Sequence, residues 1–216
     1  MQLVNDLRYL YTEFIEGKFW ITESDVENRM TEMKSYQGYH GTSKASADSI
    51  DKGNFKIDFQ KFGWLGSGIY FFQSNSELAD YWSQRKFASK GLETALFEVL
   101  ISIPAKRVFD VSDPLGEDNK YYQAVRKKFI EQEVQKRGIR LTVKNREELD
   151  GKAYNLICIK DRYELVRGVT ITPDDQDRTH GLHPHTPNGV ELCLRNIGHI
   201  AAKRIMVREG GKSDGS

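Results

Sequence analysis

GWLGSGIYFF, residues 63–72, is the stretch on which the reading of this chain turns. Glycines at positions 63, 66 and 68 crowd a turn that feeds straight into Ile69, Tyr70, Phe71 and Phe72. That β-branched and aromatic run belongs in a buried strand. The glycine loops that cradle phosphates in dinucleotide-binding and P-loop proteins open onto a helix N-terminus, whose unpaired N–H groups meet the anion. Here the spacing is Gly-x-x-Gly-x-Gly and the loop opens onto a strand, so neither fingerprint is present. Working outward, helix signals come early and short strands late, with no regular strand–helix–strand alternation. The expected class is therefore α+β rather than a doubly wound sheet.

Upstream, Leu3, Leu7, Leu10 and Phe14 recur at helical spacing. Ser24 can form a capping box with Glu27 ahead of Val26, Met30 and Met33. Residues 1–36 are accordingly expected to be a helical brace, 37–209 the main body and 210–216 a frayed tail. Within the body, a helix over Ala45 to Lys52 closes at Gly53. Ser74 or Ser76 is expected to cap a helix carrying Leu78, Tyr81 and Trp82. Ala95 to Ile103 reads as a buried strand. Lys120 to Arg137 reads as a helix with Tyr122, Val125, Phe129 and Val134 inward, and short strands are expected near 155–159, 169–172, 190–194 and 204–207.

The 216 residues suit one domain that buries roughly 70% of its unfolded surface. Lys and Arg number 32 against 31 Asp and Glu, a net charge of +1, which excludes a general basic coat. Any nucleic-acid binding must then come from a local patch. The longest nearly apolar stretch, Ala95 to Ala105, is interrupted by Glu98 and Ser102 and is too short to span a bilayer. MQLVNDLRYLYTEF lacks the basic start and apolar run of a signal peptide. Cys158 and Cys193 sit in apolar stretches and suit reduced core thiols. A cytoplasmic protein without a membrane partner is expected.

Three segments could carry chemistry. In YHGT, residues 39–42, a histidine at the end of a strand precedes a turn in which Gly41 lets the backbone approach a ligand. Taken alone, His40 suits a half-buried residue satisfied by a neighbouring carbonyl. The second segment is the glycine loop and its strand. In the third, NGVELCLRN, residues 188–196, alternation sends Val190, Leu192 and Leu194 to one face and Glu191, Cys193 and Arg195 to the other. Composition alone favours a surface position for Glu191. His180, His183 and His185 form a His-x-x-His-x-His loop whose spacing matches no structural zinc pattern, and no metal is expected.

In this order, YHGT, GSGIYFF about thirty residues later and a Glu-led strand near the C-terminus resemble the His-Tyr-Glu branch of the ADP-ribosyltransferase superfamily. That branch includes poly(ADP-ribose) polymerases and diphtheria-type toxins. The resemblance covers about Tyr39 to Val207, with a weakly matched middle from Val111 to Val166. Tyr81 falls eleven residues after Tyr70, where the family places a second aromatic, and Glu191 to Ile205, with Ile200 and Lys203, follows the family's course. The resemblance implies split antiparallel sheets around a cleft for NAD as co-substrate, with His40, Tyr70 and Glu191 as the catalytic set. It implies His40 on a ribose hydroxyl, Gly41 backbone groups on the carboxamide and Tyr70 and Tyr81 on the two nicotinamide faces. Thr42 would assist at the ribose, and Glu191 would bond the 2′-hydroxyl of the nicotinamide ribose. A carboxylate there suits the positive charge that develops when the glycosidic bond breaks. One departure is Leu78, where the family often has Ser.

Arginine- and asparagine-modifying relatives carry Glu or Gln two residues before the catalytic Glu, where this chain has Gly189. That argues against an arginine acceptor. The preceding loop offers Arg178, His180, His183 and His185, groups suited to phosphate or a base edge. Arg126, Lys127, Lys128, Lys136, Arg137, Arg140 and Lys144 form a basic run that composition assigns to a solvated helix face. The favoured expectation is a toxin-like transferase, of the toxin–antitoxin or anti-phage kind, that modifies RNA or single-stranded DNA and is held by an antitoxin protein. A protein-modifying transferase, an NAD glycohydrolase and a non-catalytic NAD or ADP-ribose-binding module are the alternatives, in that order.

Overall fold

The computed structural model describes residues 32–137 and 143–206. The helices expected before residue 31, the tail after 209, Arg140 and the side chains of Val134, Lys136, Arg137 and Lys144 lie outside the described residues. In chain order the elements are β1 (Met33–Ser43), α1 (Lys44–Lys52), β2 (Ile69–Gln73), α2 (Ser76–Lys86), β3 (Thr94–Pro104), β4 (Val108–Asp110), α3 (Glu117–Arg137), α4 (Val143–Asp161), β5 (Leu165–Thr170), α5 (Asp175–His180), β6 (Gly189–Leu194) and β7 (Ile200–Met206). The protein is α+β, and the described residues place seven strands in one sheet ordered β4-β5-β6-β2-β1-β3-β7. Every pair is antiparallel except β4 with β5. Met33 begins β1, so the sheet starts inside the segment expected to be a helical brace.

The sheet is continuous, yet it is nearly divided at its middle. β1 runs eleven residues against β3 but joins β2 through only two pairs, Gly38 with Gln73 and Tyr39 with Phe72. Beyond Tyr39 the two strands diverge, and the cleft opens there. The expected pair of sheets is thus one sheet with a narrow joint.

Register settles what faces what. Tyr70 lies opposite Cys193 and Phe72 opposite Glu191, so these four share one face of the β2–β6 pair. Phe71 and Leu192 share the other face. Both faces are covered. Phe71, Phe97, Ile101, Leu165, Leu192 and Leu194 pack with Phe55 and α1 on one side. Leu65, Phe109, Tyr154, Ile157, Val166 and Cys193 pack beneath α3 and α4 on the other. Each such large side chain contributes about 1.5–3 kcal/mol by leaving water. Cys158 and Cys193 are free and buried, and burial pushes both thiols up to about 12.

Two expectations are corrected. Residues 155–159 are helical, because Leu149, Ala153, Tyr154, Ile157 and Cys158 make one buried stripe at helical spacing along α4. The cap of α2 is Asn75, whose side chain accepts from Leu78 N at 2.8 Å, while Ser74 turns the chain at φ 51°. Lys203 of β7 donates to the carbonyls of Ile50 and Gly53 and so closes the C-terminal end of α1. Among the described residues no helix is long and apolar enough to cross a membrane.

Candidate active site

A cleft of about 470 Å³ lies where β1 and β2 part, lined by Tyr39, His40 and Gly41 of β1, the loop from Lys61 to Trp64, Tyr70 and Phe72 of β2, Trp82 and Lys86 of α2, Glu147 of α4 and Glu191 of β6. That size suits a small-molecule ligand. His40, Tyr70 and Glu191, far apart in the chain, all reach it.

His40 occupies the gap left by the stalled β1–β2 ladder. Its Nδ1 lies 2.8 Å from Tyr70 O. A carbonyl only accepts, so Nδ1 carries the proton and donates. Phe55 and Phe71 hold the ring edge-on at centroid distances of 5.3 and 5.7 Å. Burial moves the imidazole below its ordinary pKa, the Tyr70 bond opposes this, and the positive charge of Lys86 adds to the lowering. The ring is therefore neutral, and Nε2 is left as an acceptor suited to a hydroxyl.

The Tyr70 hydroxyl is fully employed within the protein. It donates to Gly66 O at 2.8 Å and accepts from Leu65 N at 2.9 Å, and burial pushes it well above the ordinary phenol range. Gly63 and Gly66 exchange backbone bonds of 3.2 and 3.0 Å, closing a small ring of chain. A Cβ on Gly63 would sit 2.8 Å from the Tyr70 ring. The glycines therefore clamp the loop against the tyrosine, and the ring is the part of Tyr70 left for the cleft. α4 braces this loop from behind. A Cβ on Gly151 would lie 2.4 Å from Gly63 O, and Asn155 Oδ1 accepts from Ser67 N at 2.7 Å.

Glu191 sits in the cleft wall, not on the surface that composition favoured. Its Oε2 accepts from Trp64 Nε1 at 3.1 Å. Burial raises its pKa, and hydrogen bonds from Thr170 and Trp64 pull it partly back. Room for the indole is made by Gly168, opposite Glu191 in β5, where a Cβ would lie 3.0 Å from Trp64 Cη2.

Other expected residues are placed differently. Tyr81 does not line the cleft; its hydroxyl donates to Asp175 Oδ1 at 2.9 Å and lies 3.3 Å from Pro173 O, tying α2 to the α5 loop. The aromatic that α2 brings to the cleft is Trp82, with Lys86 Nζ 4.3 Å above its ring. Thr42 is buried in β1 away from the cleft. Gly41 does line the cleft, and it also abuts α2: a Cβ there would lie 2.3 Å from Ala79 O. Arg178, His180, His183 and His185 are exposed on the β5–β6 connection and do not line the cleft. Arg126 is occupied by Asp150 at 2.6 Å. Among the described residues no cluster of three or more His, Cys, Asp or Glu could hold a metal.

Sequence reading missed Trp64, Trp82, Lys61 and Lys86. Trp64 stood inside the motif, and only the partner across 127 positions gives it a role. Leu78, the departure from the family, and Gly189, which argues against an arginine acceptor, lie together: a Cβ on Gly189 would lie 2.7 Å from Leu78 Cδ2. No family model, curated protein or solved structure matches the chain.

Proposed function

We propose that this protein is an NAD-dependent ADP-ribosyltransferase whose cleft binds NAD and passes ADP-ribose to a macromolecule, with nucleic acid the favoured acceptor. The observation that carries the reading is the convergence of His40, Tyr70 and Glu191 on one cleft at the parting of β1 and β2. The donor set fits the ligand chemistry. The Tyr70 ring offers a flat face to a nicotinamide, with Trp82 in place of Tyr81 as the aromatic from α2. His40 Nε2 accepts from a ribose hydroxyl. Lys61 and Lys86 on the cleft wall suit a diphosphate.

Nicotinamide in NAD is already a cation, so it departs neutral with the bond pair and needs no acid. What the protein must supply is an anion fixed where the ribose becomes positive. Glu191 meets that need: Trp64 and Thr170 hold its carboxylate in place, so little reorganisation is required at the moment of reaction. The acceptor nucleophile then bonds the anomeric carbon and releases its proton to solvent. At Gly189, against which Leu78 packs, the acidic or amide side chain that arginine-modifying relatives use is missing, which disfavours an arginine acceptor.

The test is NAD labelled in its adenylate phosphate, incubated with purified protein and, in separate tubes, RNA, single-stranded DNA and a lysate. Covalent label on RNA or DNA supports the reading in full. Label only on proteins replaces the acceptor. No label on any of them, with NAD intact, rejects the transferase.

A further inference from the structure

We propose that a second groove, lined by Phe59, Arg107, Arg162 and Arg195, binds single-stranded nucleic acid, the guanidinium groups taking backbone phosphates and the Phe59 ring a base. The groove measures about 470 Å³ and shares no lining residue with the cleft. Three arginines face one carboxylate, Glu164, which His199 already engages at 2.6 Å. Arg107 Nη1 donates to Arg162 O at 2.8 Å, and Arg195 Nη1 donates to Ser67 O at 2.8 Å and to Asn155 Oδ1 at 2.7 Å. Each guanidinium carries five N–H donors. These bonds therefore fix the Arg107 and Arg195 guanidinium groups without exhausting their donors.

Two further observations point the same way. Phe59 is a large apolar ring left 59% exposed, with the Arg195 guanidinium 6.0 Å from its centroid. An exposed aromatic beside fixed cations is the pairing that holds single strands by stacking and charge together. Arg162 follows the end of α4 with φ 59°, a left-handed conformation in which glycine is the usual occupant. Local strain is accepted there, and an exposed cation is what it presents to the groove. In a chain of net charge +1, such a local patch is the form that nucleic-acid binding must take.

The groove also lies near the chemistry. Arg195 stands four residues after Glu191, just past the end of β6, about 13 Å away at the rise of a strand. The loop carrying Phe59 continues into Lys61 and Trp64 of the cleft. That a strand held in the groove is thereby delivered to the cleft rests on the transferase reading; the binding itself does not.

Binding is measured without NAD, by fluorescence anisotropy of labelled oligo(U) and oligo(dT) of about twelve nucleotides, over salt from about 50 to 200 mM. Arg162→Gly is expected to keep or raise the melting temperature, because it relieves the left-handed backbone. It is also expected to weaken binding and to make the log–log salt slope shallower by about 0.7. Phe59→Ala is expected to cost about fivefold or more in affinity with little change in slope. Unchanged affinity in both variants overturns the proposal. So does a wild type that does not bind at the lowest salt, or a loss seen only with Arg178→Ala and Lys127→Ala. Because no NAD enters the assay, failure of the transferase reading leaves these results unaffected.

Discussion

Replacing Glu191 with Gln separates two effects of one carboxylate. The amide keeps the size and can still accept from Trp64, but it cannot oppose a developing cation, so transfer is expected to fall about 10²-fold or more. Stability is expected to move the other way. Burial holds Glu191 above its ordinary pKa of 4.5, so as pH rises the unfolded chain releases this proton before the folded one does. Wild type therefore gives up stability as pH climbs from that value through the raised one. Glu191→Gln carries no such loss, and its gain in melting temperature should be near nil at about pH 4 and should grow toward about pH 8. Thermal melts across that range check it; a gain that shrinks as pH rises would contradict the assignment. Tyr70→Phe has a different signature. It removes the acceptor for Leu65 N–H, which is fully buried, and should cost about 1–3 kcal/mol by denaturant titration. The aromatic face remains, so NAD affinity should survive better than in Tyr70→Ala.

At the scale of elements, the cleft is framed by helices that come unusually close to backbone. Gly41→Ala would drive a methyl into Ala79 O of α2, and Gly151→Ala one into Gly63 O beside α4. Each is expected to destabilise by about 1–3 kcal/mol. Gly41→Ala should also weaken NAD binding, because α2 carries Trp82 and Lys86. A calorimetric titration showing unchanged NAD affinity in that variant would mean that α2 does not frame the ligand. Gly189→Glu should likewise destabilise alone and be rescued in part by Leu78→Ser, a coupling that a double-mutant cycle reads directly. These contacts explain what was legible in sequence. Glycine spacing and the aromatic run announced β2, and alternation announced β6. Alternation misled about exposure, because a sheet covered on both faces buries Leu192, Cys193 and Leu194 alike. The 155–159 run looked like a strand because its helical stripe begins earlier, at Leu149. Trp64 meeting Glu191, and Tyr81 turned toward Asp175, are set by register and helix rotation, which no local pattern encodes.

At the scale of the molecule, the candidate site bears on folding through His40. Burial and Lys86 lower its pKa from 6.5, so the folded state prefers the neutral ring. As pH falls through that ordinary value, the unfolded chain takes up a proton that the folded one resists. Stability is complete above about pH 6.5 and is lost progressively below it. A melting profile in which His40→Gln flattens that acid slope is expected. The division of the sheet at β1 and β2 makes both the room for the imidazole and the cleft beside Glu191. The most direct test is nicotinamide release from NAD by the purified protein, wild type beside Glu191→Gln, with folding of both checked by thermal melts. Wild type is expected to release nicotinamide, and the variant to lose about 10²-fold or more while melting no lower. Equal release by the two, or none by a folded wild type supplied with NAD and nucleic acid, would contradict it.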